Sequence, residues 1–158
     1  MIKAAILTVS DSCAQGKRED VSGQAIKDML VESGFEVCEK RIVADNFEEI
    51  ADELRYFSDK AGVNVVITTG GTGLGPRDVT PEATKSVCER MVPGLSETIR
   101  AMGWKKTKNA VLSRGVAGIR GKTLIVNLPG SAKGAKESLE VILDVLPHAV
   151  EMMLGGGH

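Results

Sequence analysis

Four glycines fall within six positions at Gly70, Gly71, Gly73 and Gly75, flanked by Thr68, Thr69 and Thr72. Glycine lets backbone N–H groups approach a ligand closely, and successive N–H groups in such a loop can cradle an anion. A helix is expected directly afterwards, from Thr80, with Pro81 in its first turn. Its N-terminus would add a dipole that favours phosphate. The stretch does not complete either common phosphate fingerprint. Gly71-Thr72-Gly73 would need a small residue where Pro76 stands to form a dinucleotide-binding motif. Gly121-Lys122-Thr123 resembles the end of an ATPase phosphate loop, but Val116 occupies the place of its first glycine. That tripeptide reads instead as a turn leading into a strand.

Asp11 and Asp45 stand at expected strand ends, and Asp78 lies on the glycine loop beside Arg77. Mg²⁺ takes one or two carboxylates together with phosphate oxygens and waters, so these residues beside a phosphate cradle point to a metal-assisted phosphate site. Each also has a structural use. Asp11 and Asp45 can serve as loop or helix-capping carboxylates, and Asp78 can pair with Arg77 or cap the following helix. Ser10, Ser113 and Ser131 have no adjacent histidine and no nucleophile-elbow motif, which argues against a serine hydrolase. His148 reads as a helix-face residue. From the residues alone, the chain binds a phosphorylated ligand with Mg²⁺.

The elements that must position these residues alternate. Strands are expected at 3–9, 35–43, 63–69 and 122–128. A loop is expected at 11–19, and helices at 21–31, from an Asn46 cap to Gly62, from Thr80 to about Met91, and at 94–102. A long helix should follow Ser131 and break or kink at Pro147, with a frayed tail at 155–157. This pattern predicts one α/β domain over 1–158, a three-layer sandwich around a mainly parallel sheet. Ligands in such sheets bind outside the carboxyl ends of the strands. Ser10-Asp11-Ser12, the stretch 70–78 and Pro129-Gly130-Ser131 should therefore converge on one rim.

Composition narrows the classes. The 158 residues carry 20 Lys+Arg against 21 Asp+Glu, so bulk charge gives no support to a nucleic-acid face. Aromatics are only 3%, too few for platforms that stack bases. No run approaches the roughly 20 apolar residues of a membrane span, and the N-terminal apolar run is too short for a secretion signal. Cys13, Cys38 and Cys88 are far apart and form no zinc pattern, so they are expected as small buried side chains in a reducing cytoplasm.

Five segments then carry a resemblance. ILTVSDS at 6–12, EDVSG at 19–23, VITTGGTGLGPRDVTPEAT at 66–84, LSRGVAGIRGKTLIVNLPGS at 112–131 and LPHA at 146–149 resemble the molybdopterin adenylyltransferases of the MogA/MoaB type. That family includes the N-terminal domain of gephyrin. The resemblance runs from about residue 3 to about residue 154. It implies that ATP donates AMP to the terminal phosphate of molybdopterin with release of pyrophosphate. It also implies a homotrimer and hand-over of the product to a molybdenum-insertion enzyme.

By the same resemblance, Asp45 and Asp78 match the two essential acidic positions, handling Mg²⁺ and ATP. Thr69, Gly70, Gly71, Thr72 and Gly73 match the segment at the nucleotide. Ser10 and Asp11 match the first strand's loop, and Ser113, Pro129, Gly130 and Ser131 match the pterin and nucleotide pocket. Some MoaB-type members lack adenylylating activity and are altered in the GPRDVTP segment. This chain keeps Asp45 and the whole of 76–81, so an active enzyme is expected. The alternative is a non-catalytic protein that binds molybdopterin or nucleotide.

Overall fold

In a computed structural model, residues 1–156 are described; Gly157, part of the expected tail, and His158 lie outside them. Among the described residues, six strands form one sheet in the order β2-β1-β3-β6-β5-β4. They are β1 (Lys3–Val9), β2 (Glu36–Val43), β3 (Val65–Thr69), β4 (Arg90–Met91), β5 (Ala117–Arg120) and β6 (Thr123–Leu128). The first four in spatial order run parallel, while β5 and β4 are antiparallel additions at one edge.

Unbroken apolar runs become central strands because both faces of the sheet are covered. Along β1, Ala4 and Ile6 join one core while Ala5, Leu7 and Val9 join the other. The first core is closed by α2 (Val21–Glu32), α5 (Pro93–Trp104), α6 (Ala132–Ile142) and α7 (Leu146–Met153), through residues such as Ile26, Leu30, Leu139 and Leu146. The second is closed by α3 (Phe47–Arg55) and α4 (Thr80–Val87), through Ile50, Leu54, Ala83 and Val87. The expected three-layer α/β sandwich is therefore present.

The local signals act as read at several points. The Asn46 side chain accepts from the Glu49 amide and starts α3. The Ser131 hydroxyl accepts from the Gly134 amide and starts α6. Pro147 lies in the first turn of α7, beyond a tight turn at Leu143–Val145 that ends α6, so the expected break occurs. Gly121 and Lys122 form the two-residue turn of the β5–β6 hairpin, as the turn reading of that tripeptide required.

Other expectations need correction. The loop expected at 11–19 begins with one helical turn, α1 (Asp11–Ala14), capped by the Ser10 hydroxyl. The helix expected to reach Gly62 ends regularly at Arg55 and continues as a wider turn, Tyr56–Lys60. The α4 helix stops at Val87 rather than near Met91. The chain is drawn out instead into the short edge strand β4, flanked by the Glu89 amide donating to the Ile119 carbonyl at 2.8 Å and the Val92 amide to the Ala117 carbonyl at 2.8 Å. Its approach needs Gly118, where a Cβ would lie 2.7 Å from the Cys88 sulfur. The β5 strand had no sequence signal, since its AGIR composition is poor in strand formers and its pairing comes from the turn and β6.

One buried amide joins the layers. Asn127 on β6 donates to the hydroxyls of Thr68 and Thr84, each at 3.0 Å, and accepts from the Val116 amide at 3.2 Å. Asn127→Ala strands three polar groups in the interior, at a cost of about 2–4 kcal/mol. Urea unfolding should report a loss of that size; a loss under about 1 kcal/mol would mean these groups find other partners.

Candidate functional site

The carboxyl ends of β1, β3 and β6 meet at bare backbone. Gly70 adopts φ +101°, and a Cβ there would drive into the Val9 carbonyl oxygen. A Cβ on Gly130 would lie 3.3 Å from the Cα of Gly70. The Thr69 hydroxyl closes the junction by donating to the Pro129 carbonyl at 2.6 Å. The three rim segments converge as the parallel-sheet reading required.

Two cavities open at this rim. The smaller, about 390 Å³, is lined by Ser10, Asp45, Thr69, Gly70, Gly71, Asp78, Gly130 and Ser131 among the expected residues. The larger, about 570 Å³, lies between α5 and α6 and takes Ser113, Pro129 and Ser131. Ser131 lines both. The expected site is thus gathered in one place but divided into two adjoining compartments. Asp11, Thr72 and Gly73 stand outside both linings.

Asp11 has a definite task there. Its Oδ2 accepts from Arg77 Nε at 2.7 Å, and its Oδ1 from Arg77 Nη2 at 2.9 Å. Its amide donates to Asp45 Oδ2 at 3.0 Å, while the Asp45 amide donates back to Asp11 Oδ1 at 3.0 Å. Arg77 Nη2 also reaches the Asp45 carbonyl at 3.1 Å. The loops after β1, β2 and β3 are therefore tied into one frame by a forked, charge-assisted contact. The hydrogen bond from Arg77 is the largest cause holding the Asp11 carboxyl below its ordinary range. Asp78 does not pair with Arg77. Its Oδ2 accepts from the Gly75 amide at 2.9 Å and folds the loop on itself.

Asp45 behaves oppositely. Burial is the largest influence and pushes its carboxyl above the ordinary range; the charges of Asp11 and Asp78 add to the rise, while the Asp11 amide and Arg77 oppose it. Two carboxylates that line one cavity are a donor set of the kind a divalent cation takes. Among the described residues, no three acidic, histidine or cysteine side chains group to hold a metal. Asp45 and Asp78 line the same cavity and are the carboxylates that could hold Mg²⁺, with phosphate oxygens and waters as its further ligands.

Reading from sequence misses three contributors. Asp20, its side chain 5% exposed, lines the smaller cavity and accepts from Thr8 Oγ1 at 2.7 Å, the Gly23 amide at 2.9 Å and Lys40 Nζ at 3.0 Å. Burial would raise its carboxyl, but those three donors outweigh it and the net displacement is downward. Arg77 stands out in sequence as a neighbour of Asp78, not as the clamp on Asp11. Arg114 grips the glycine loop, a contact across 41 and 36 positions that no local pattern announces. The one available signal for Asp20 and Arg114 is their place inside the EDVSG and LSRG segments.

The remaining residues match their bland readings or depart from them slightly. His148 is exposed beside Glu151 on α7. Cys38 is exposed rather than buried, and Cys13 and Cys88 are half-buried. Among the described residues, no helix is long and apolar enough to cross a membrane.

Comparison with known proteins follows the same line. A family profile described as "Probable molybdopterin binding domain" matches residues 5–148. A Helicobacter pylori J99 protein named molybdopterin adenylyltransferase is 43% identical over 156 residues, covering 98% of this chain and 89% of that protein. An Escherichia coli K12 protein of the same name is 36% identical over 146 residues, covering 90% of this chain and 74% of that protein. The crystal structure of the molybdopterin biosynthesis enzyme MoaB from Thermus thermophilus superposes with a TM-score of 0.93 at 51% identity, covering 98% of each chain.

The raised Asp45 carboxyl has a measurable consequence. Asp45 holds its proton more tightly folded than unfolded. Its contribution to stability is therefore full below the usual carboxylate range and is lost as pH rises through its folded-state value. Asp45→Asn keeps an acceptor for the Asp11 amide and removes the charge. Thermal unfolding at about pH 7 should give a higher midpoint for the variant, with the difference shrinking toward about pH 3–4. A lower midpoint at neutral pH would contradict this account of the site.

Proposed function

Since the chain belongs to the molybdopterin-binding-domain family, we propose that it is a molybdopterin adenylyltransferase acting in molybdenum cofactor biosynthesis. The observation that carries this reading is the pair of cavities sharing Ser131, one of them facing the glycine loop and both acidic side chains. Two adjoining compartments suit a reaction that joins two substrates.

In this reading ATP lies along the glycine loop and molybdopterin occupies the larger cavity. An oxygen of the molybdopterin phosphate forms a bond to the α-phosphorus of ATP, and the bond to the β-phosphate breaks. The products are adenylyl-molybdopterin and pyrophosphate. The attacking phosphate is already anionic, so no strong general base is needed, which agrees with a site without a histidine. What the protein must do is align two anions and offset their repulsion.

Gly70 and Gly71 admit the phosphates close to backbone, and Ser10 and Ser131 offer hydroxyls at the rim. Asp45 and Asp78 would hold Mg²⁺, which supplies positive charge to the phosphates when bound. Arg77 and Asp11 keep the Asp45 segment in register with the loop. A homotrimer in the cytoplasm, passing its product to a molybdenum-insertion enzyme, completes the proposal. The exposed Trp104, Val111 and Leu112 offer apolar surface that contact between copies would cover.

Asp78→Asn tests the reading directly. Pyrophosphate release from molybdopterin and Mg-ATP should fall at least about 100-fold, while oligomeric size and molybdopterin binding persist. Turnover like that of the parent protein would sink the assignment of Asp78. A parent that binds molybdopterin but never releases pyrophosphate would be a carrier, not an enzyme.

A further inference from the structure

The glycine loop is held by few side chains of its own, and one outside residue supplies most of what is missing. Leu74, its one large apolar side chain, is 66% exposed and adds little burial. Four glycines make the loop entropically costly to order. Its shape therefore rests on hydrogen bonds to its backbone.

At its two ends the loop is closed locally. The Thr80 hydroxyl donates to the Gly70 carbonyl at 2.9 Å, and the Asp78 amide to the Gly75 carbonyl at 3.0 Å. The middle is held from the segment before β5. The Arg114 amide donates to the Thr72 carbonyl at 2.8 Å. Its Nε donates to the Gly73 carbonyl at 2.8 Å, and its Nη2 to the Asp78 carbonyl at 2.7 Å. The same guanidinium is fixed from behind by Glu82 in the first turn of α4, at 2.7 Å and 3.3 Å. The backbone on either side of Arg114 is pinned too, since Arg100 Nη1 donates to the carbonyls of Ser113 at 3.3 Å and Gly115 at 2.9 Å.

We propose that Arg114 is the positioning residue of this site: by gripping the carbonyls of Thr72, Gly73 and Asp78 it sets the curvature of the loop and the place of the Asp78 carboxylate. Its guanidinium serves two loop carbonyls and a carboxylate at once. Only a planar fork does this; an ammonium is a point charge on a flexible stem and cannot span all three. Ser113, one residue earlier, lines the larger cavity, so a single short segment borders one compartment and shapes the other. Arg114 touches no substrate in this account. Its consequence for catalysis rests on the adenylyl-transfer reading, whereas its hold on the loop does not.

The test pairs hydrogen exchange with kinetics on Arg114→Lys in the full-length protein. Amides at 71–79 should exchange at least about tenfold faster than in the parent, while those of β1, β3 and β6 keep their parent rates. With molybdopterin and Mg-ATP, kcat should fall about 100-fold and KM for molybdopterin should change less than about threefold, because the larger cavity is intact. A merely structural role would lower protection across the sheet and move both constants together, which would overturn the proposal. So would a loop protected as in the parent. If Arg114→Lys does not fold, Glu82→Gln weakens the same grip from behind, and the same loop-confined acceleration is expected at smaller size; unchanged loop exchange there overturns the proposal. A parent without turnover would sink the adenylyl-transfer reading instead, leaving the exchange result to decide the role of Arg114.

Discussion

The rest of this structure depends on a place where three strand ends approach one another without side chains. Gly70 turns with a positive φ against the Val9 carbonyl, and Gly130 lies against Gly70. Backbone this close leaves no room for a Cβ, and it sends the chain after β3 outward as a loop rather than directly into α4. The two cavities then form on either side of the junction, with Ser131 belonging to both. A larger residue at 70 would push the end of β3 away from β1 at this junction.

Around that junction, charge is arranged in two opposed ways. Arg77 satisfies Asp11, and the reciprocal amide-to-carboxylate contacts between Asp11 and Asp45 complete the frame that holds three loops together. This contact is exposed, with the Arg77 side chain at 65%, so its value lies in geometry more than in stability. Asp45 is the counterpart, a partly buried carboxylate pushed up by its surroundings. A buried carboxylate kept at such a cost is the usual compromise between stability and activity.

Much of this was legible in the sequence because local rules agree with the fold. The apolar runs became the central strands, and Asn46, Ser131 and Pro147 marked helix ends by their own hydrogen-bonding or steric chemistry. The glycine cluster and the strand-end carboxylates located the rim. What escaped was decided by pairing at a distance. The β4 and β5 strands exist through partners, since neither Arg90-Met91 nor AGIR has strand composition. The pairing of Asp11 with Arg77 escaped too, because that contact spans 66 positions. Arg114 was invisible for the same reason: a guanidinium seeking carbonyls leaves no periodicity. The second compartment likewise depends on α5 and α6, distant in sequence, lining one cavity together, which no motif encodes.

The most direct measurement is a single incubation of the purified protein with molybdopterin and Mg-ATP, following adenylyl-molybdopterin and pyrophosphate together. The account predicts equal amounts of both, accumulating well beyond one equivalent per chain. Tight molybdopterin binding with neither product formed would contradict it, and would make the two compartments a place of storage rather than of reaction.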